Sequence, residues 1–218
     1  MIAATLAHNN YPSIHLSDKV LLALQLMDDY DFQHLCVLSE DRFAGIISKN
    51  EIMDADTNAT IATLQKNFIQ VFVKSADHFL TALKLIAENE LSLIPVINNN
   101  QQLVGIITIY EILKIMASFN GTQEQGGIIV LEIDKRNYSF GEISRLVETN
   151  DAYITQLNTM AEKDDIVIVT LKINKTEVSD IVSTFQRFDY TVRYYFGEEQ
   201  YSNELKENYH HLMAYLNI

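Results

Sequence analysis

Apolar and polar positions run through one pattern twice between residues 16 and 114. Val20, Leu21, Leu24 and Met27 recur at helical spacing, and Phe79, Leu80, Leu83 and Ile86 do so again. Ahead of each stripe, Ser17-Asp18 and Ser75-Ala76-Asp77 offer helix N-caps. A short, wholly apolar strand follows each helix, Leu35–Leu38 and then Leu93–Ile97. A polar hairpin turn leads to a second strand, Phe43–Ile47 or Leu103–Ile107. Each copy closes on a short helix that begins at a hydroxyl residue and carries Glu three positions on: Ser48-Lys49-Asn50-Glu51 and Thr108-Ile109-Tyr110-Glu111. That spacing is a capping box, in which hydroxyl and carboxylate each satisfy a backbone N–H at the helix start.

The two copies are related by an offset of 59 residues that becomes 60 after the turn. Ala23-Leu24 matches Ala82-Leu83, Leu35-Cys36-Val37 matches Ile94-Pro95-Val96, and Gly45-Ile46-Ile47-Ser48 matches Gly105-Ile106-Ile107-Thr108. The one-residue insertion falls in the turn, where extra chain is cheapest. Helix, apolar strand, hairpin and Gly-apolar-apolar-Ser/Thr-x-x-acid, taken together and present twice, resemble the cystathionine-β-synthase (CBS) domain. The resemblance covers residues 1–118, with copies at about 11–58 and 69–118. It implies two tandem β-α-β-β-α units that pair, with a cleft between them for an adenosine-type ligand such as AMP, ADP, ATP or S-adenosylmethionine. In that family the acid holds the ribose hydroxyls, and the hydroxyl residue with its helix N-terminus lies near phosphate. Carried over, the ligand-binding candidates are Ser48, Glu51, Thr108 and Glu111.

Two departures from the family pattern stand out. The family's acid is usually Asp, whereas both copies here have Glu. A basic residue often precedes that acid, but those positions hold Asn50 and Tyr110, with Lys49 one step off and Lys114 a turn further on. Two readings stay open at this point: a ligand cleft, or plain capping boxes without a ligand.

Residues 119–127 are polar and glycine-rich and read as a linker. Beyond them the periodicity changes to a strand at Ile128–Ile133, a helix at Ser139–Thr149, strands at Ala152–Met160 and Ile166–Ile173, a helix at Thr176–Arg187 and a strand at Tyr190–Phe196. The order βαββαβ is the ferredoxin-like split unit. With Phe140-Gly141-Glu142-Ile143 leading the first helix, residues 128–196 resemble an ACT domain, a family that often binds amino acids between copies. The family's Asp-x-x-Gly turn after the first strand is Asp134-Lys135-Arg136-Asn137 here, with Asn in place of Gly. Residues 197–218 predict an amphipathic helix, with Tyr201, Leu205, Leu212, Met213 and Leu216 near one face. The expected fold class is therefore α+β: two CBS units, a ferredoxin-like ACT-type domain and a C-terminal helix.

Charge and composition narrow the function. The net charge of -13 is spread as -6 over 1–118, -4 over 119–196 and -3 over 197–218. No basic face is offered, which argues against nucleic acid and anionic membranes as partners. No apolar run approaches the roughly 20 residues that span a bilayer, and no basic, apolar leader is evident, so a cytoplasmic location is expected. Cys36 is the only cysteine and sits in an apolar strand, which predicts an inert, packed thiol. The six histidines form no metal-ligand spacing, the Asp164-Asp165 pair reads as a solvated turn, and no nucleophile elbow or glycine-rich phosphate loop occurs. The sequence thus points to a non-enzymatic, homodimeric regulatory protein without cofactor or metal. Its CBS pair would bind an adenosine-type ligand and pass its state to a protein partner. The alternative is a ligand-free homodimeric scaffold for an enzyme or transporter.

Overall fold

The structure is a computed structural model that describes residues 1–162 and 165–197. Asp164 and residues 198–218 of the expected C-terminal helix, His210 and His211 included, lie outside the described residues. The chain divides into two units, Met1–Met116 and Ala117–Ile218.

The first unit contains β1 (Ser13–His15), α1 (Val20–Asp29), β2 (His34–Ser39), β3 (Arg42–Ser48) and α2 (Lys49–Met53). It repeats them as β4 (Val73–Lys74), α3 (Phe79–Glu88), β5 (Leu93–Ile97), β6 (Leu103–Thr108) and α4 (Ile109–Phe119). Each set forms a three-stranded sheet with its first two strands parallel and its last two antiparallel. Leu35 and Val37 of β2 join the core under α1, whereas Cys36 and Leu38 face a second core shared with β4, β5 and β6. Both faces of β2 and β5 are thus covered, which accounts for their unbroken apolar runs.

Two local features differ from the sequence expectation. The buried stripes of α1 and α3 are Val20-Ala23-Met27 and Phe79-Ala82-Ile86, while Leu21 and Leu80 point outward. An alanine at the middle of each stripe lets the helix approach its sheet closely, and a leucine there would hold it off. Full burial of each large member, such as Met27 or Phe79, contributes about 1.5–3 kcal/mol. The N-caps are also displaced. Lys19 and His78 occupy the cap positions, and only His78 lends its side chain, to the Leu80 N–H. Asp18 and Asp77 instead accept the backbone N–H groups of His15 and Lys74 at 2.7 and 2.8 Å, closing the turn from strand to helix.

Segments outside the repeated elements bind the halves together. The His8 and Ile106 backbones exchange hydrogen bonds, each at 3.0 Å, and so join the chain ahead of β1 to β6 of the second copy. Ile69 and Ile46 do the same at 2.8 and 2.9 Å, joining the chain ahead of β4 to β3 of the first copy. Upstream, Ala3 is buried among second-copy residues, and Ile61, in a 3-10 helix at Ile61–Asn67, is buried among first-copy residues. Residues before each copy are therefore folded into the other.

The glycines of the shared motif admit these crossing segments. A Cβ on Gly105 would come within 2.8 Å of Asn9 Oδ1 and 3.0 Å of the Ala7 Cβ and the His8 carbonyl oxygen. A Cβ on Gly45 would lie 2.6 Å from the Phe68 Cβ, and Gly45 also has φ +153.

The second unit comprises β7 (Ile128–Asp134), α5 (Phe140–Glu148), β8 (Ile154–Ala161), β9 (Ile166–Ile173), α6 (Ser179–Arg187) and β10 (Thr191–Phe196). Its antiparallel sheet has the order β10-β7-β9-β8, the ferredoxin-like arrangement. Ile129, Leu131, Val169 and Leu171 meet Ile143, Val147, Ile181 and Phe185 in a core between sheet and helices. Helix α6 starts three residues later than its periodicity predicts. Val178 already packs in the core, but as the N-cap of α6, and its apolar side chain offers no acceptor to the free N–H groups of the first turn. The linker does not hang free: the Lys172 ammonium donates to the Gly121 carbonyl, and Thr122 Oγ1 donates to the Ala117 carbonyl at 3.1 Å.

Gly45→Ala forces a β-carbon against Phe68 in a backbone conformation that disfavours it. It is expected to lower stability by about 1–3 kcal/mol. Urea denaturation followed by circular dichroism measures this, and an unchanged midpoint would contradict the close approach.

Candidate functional site

The four residues singled out by the repeat stand at the N-termini of α2 and α4, joined in pairs. In the second copy both halves of the capping box form. Thr108 Oγ1 accepts the Glu111 N–H at 3.3 Å, and Glu111 Oε2 accepts the Thr108 N–H at 2.8 Å. The Thr108 hydroxyl lies 3.1 Å from the same carboxylate oxygen. In the first copy Ser48 Oγ accepts the Glu51 N–H at 3.4 Å, but the Glu51 carboxylate turns away and accepts from the Asn67 side-chain amide. One sequence pattern thus serves a closed cap in α4 and a half cap in α2.

The second oxygen of Glu111 meets residues that the repeat alone did not indicate. Oε1 accepts the Tyr11 hydroxyl at 2.8 Å and lies 3.1 Å from His8 Nε2. The Glu111 side chain is 14% exposed, whereas that of His8 is 54% exposed. Burial, reinforced by the adjacent Glu111 carboxylate, raises the Tyr11 pKa above its ordinary value and keeps the phenol protonated as a donor. Tyr11 is held by its ring as well, 5.6 Å from Phe32 between centroids. His8, Asn9, Tyr11 and Ser13 on one side and Leu103–Ile106 on the other line a cavity of about 170 Å³. The only signal for these residues in the sequence was a polar, aromatic run just ahead of a strand.

The lysines of the two motif helices have partners of their own. Lys49 Nζ lies 2.6 Å from Asp28 Oδ1, and Lys114 Nζ sits 4.4 Å from the centre of the Tyr110 ring. Burial pushes the Cys36 thiol up to about 12, so it stays protonated and unreactive near neutral pH. Among the described residues, no group of three or more His, Cys, Asp or Glu side chains could hold a metal ion.

His34 lies on the seam between the two copies. Its Nδ1 accepts the Ser92 backbone N–H at 3.2 Å and is 3.0 Å from the Ser92 hydroxyl. Burial lowers its pKa, and an imidazolium has no lone pair left on Nδ1 to accept either donor.

In the second unit the Asp134–Asn137 turn closes on itself. Asp134 Oδ1 accepts the Arg136 N–H at 2.9 Å, and its carbonyl accepts the Asn137 N–H at 2.8 Å. Beside it is a cavity of about 390 Å³ whose lining includes Glu132, Asp134, Glu142, Asp189 and Tyr190. Tyr190 donates to Glu142 at 3.0 Å, and burial together with that carboxylate pushes its phenol up to about 12.

The CBS domain family model matches residues 3–58 and 65–118, and the chain belongs to that family, with two copies in tandem. A CBS domain pair/ACT domain protein from Thermotoga maritima is similar with a TM-score of 0.50 and 21% identity, over 55% of this chain and 98% of that one. The CBS domains of a transcriptional regulator from Streptococcus pneumoniae match with a TM-score of 0.47 and 18% identity, over 52% of this chain and 98% of that one. At 21% identity the first of these likenesses speaks for fold alone. No helix among the described residues is long and apolar enough to cross a membrane.

His34 gives the first unit a pH dependence with a defined sign. Its folded-state pKa is depressed, so its contribution is complete above the unfolded value of about 6.5 and is lost as pH falls through the folded-state pKa. Urea midpoints measured from pH 8 down to pH 5 are expected to fall more steeply for the wild type than for His34→Asn, which keeps an acceptor but does not titrate. Parallel profiles would remove His34 as the cause.

Proposed function

We propose that this chain is a non-catalytic, homodimeric regulatory protein whose CBS pair binds an adenosine-type small ligand beside Glu111 and passes the bound state to a protein partner. The observation that carries this reading is the arrangement around Glu111. A carboxylate fixed by its own helix cap offers its second oxygen to the Tyr11 hydroxyl and to His8 Nε2, two groups that themselves line a cavity. A cis-diol presents the same pair of donors. Membership of the CBS family supplies the ligand class, and Ser48 with Glu51 marks the related position in the first copy. The second unit acts as an ACT-like module that steadies the dimer or relays the change. Its Asp134 turn, with Asn137 in place of glycine, does not favour an amino acid there. For a ligand to switch the protein, it must bind two conformations with different affinity.

A second reading rests on a different observation. Ile109, Tyr110 and Leu113 on α4 are 54%, 61% and 66% exposed, an apolar stripe beside a capping box that is complete without a ligand. A ligand-free homodimeric scaffold would use that stripe and leave the cleft closed.

Thermal unfolding of the full chain with adenosine, AMP, ADP, ATP and S-adenosylmethionine separates the two. A ligand present at about 100 times its Kd adds about 2.7 kcal/mol to stability, enough to raise the melting temperature by several degrees. A rise with at least one compound is expected. Identical melting with all five, for protein shown to be folded, favours the scaffold.

A further inference from the structure

The chemistry around the second-copy cleft selects among adenosine-type ligands, an inference that rests on the ligand-binding reading above. The cavity is lined by His8, Asn9, Tyr11, Ser13 and β6, with no Lys or Arg among these residues. The lysines the motifs offer are engaged elsewhere, Lys49 with Asp28 and Lys114 over Tyr110. Behind Tyr11 and His8 of this lining stands a fixed negative charge, the Glu111 carboxylate. A phosphate carries about 1.5–2 negative charges near neutral pH. Set near that carboxylate, it meets repulsion that no lysine or arginine in the lining offsets.

Space and hydrogen bonding point the same way. At about 170 Å³ the cavity falls below the roughly 300–1,000 Å³ typical of small-molecule sites. With residues 7–13 in place, a sugar-sized group fills it. Glu111 Oε2 is committed to the N-terminus of α4, so Oε1 is the acceptor available for exchange. The groups now on Oε1, the Tyr11 hydroxyl and His8 Nε2, belong to the strap ahead of β1. Near its centre that strap is pinned to β6 by the single backbone pairing of His8 with Ile106.

We propose that the cleft takes a phosphate-free, diol-bearing nucleoside, whose hydroxyls replace Tyr11 and His8 on Glu111 Oε1, and that the strap is the cleft's internal competitor. Tyr11 and His8 are then specificity-determining residues. They occupy the acceptor until a ligand with matching donors displaces them, and neither is a lysine or arginine that would fix a phosphate.

Isothermal titration of the full chain with adenosine and with AMP tests this directly. Adenosine is expected to bind at least about tenfold more tightly than AMP. Tyr11→Phe keeps the ring against Phe32 but removes the competing hydroxyl, and is expected to tighten adenosine severalfold. Glu111→Gln loses the charged acceptor and is expected to weaken adenosine by about tenfold or more. The adenosine–AMP comparison on wild-type protein needs no variant, so it survives any folding defect in Glu111→Gln. AMP binding as tightly as adenosine overturns the inference and leaves the ligand-binding reading standing. Weaker adenosine binding by Tyr11→Phe overturns it in the same way, because Tyr11 would then be a ligand contact. Silence from both compounds with wild type and Tyr11→Phe overturns the inference and the reading of this cleft together.

Discussion

The backbone pairings of His8 with Ile106 and of Ile46 with Ile69 bring the two copies of the first unit into one body. Each lays the segment ahead of one copy along the last strand of the other, at a glycine that leaves room for it. Much else follows from this exchange. Ala3 and Ile61 reach buried positions because their segments are carried across. The strap that bears His8 and Tyr11 arrives beside Glu111 for the same reason. A side chain at Gly105 would strike the strap itself, so the geometry of the cleft depends on a residue with no chemistry of its own.

The replacement of the family's usual Asp by Glu has a physical explanation in the second copy. A capping box needs a side chain long enough to fold back from the third helical residue to the N-cap N–H. Glu111 does so through one oxygen and still directs the other toward the strap. The extra methylene lets a single carboxylate close a helix end and present an acceptor at once. In the first copy Glu51 gives up the backbone contact for Asn67, so the two sites diverged in structure while keeping one motif.

The periodic parts of the architecture were legible in the sequence. Both halves of the repeat, the wholly apolar runs of β2 and β5 and the βαββαβ order of the second unit follow from apolar spacing. What escaped has particular causes. Leu21 and Leu80 looked like core because hydrophobicity alone does not say where a helix comes closest to its sheet, and the places were taken by Ala23 and Ala82. Asp18 and Asp77 looked like caps because the same carboxylate can serve the turn before a helix as readily as the helix itself. Ser48, Glu51, Thr108 and Glu111 were legible as a motif. His8 and Tyr11 were not, since they lie about 100 residues from Glu111 and belong to no repeated pattern.

The exchanged segments also separate the unit that was duplicated from the unit that folds. An excised stretch covering residues 11–58 would lack Ile61 and Phe68, which complete its core. Residues 10–70 hold the first half in one continuous piece. The second half has no such continuous form in this chain, because its missing wall is the N-terminal strap. Only a circular permutation that places residues 1–9 after residue 116 would make it contiguous. The two copies, alike in sequence, therefore differ in whether their flanking segments lie on one continuous stretch of chain.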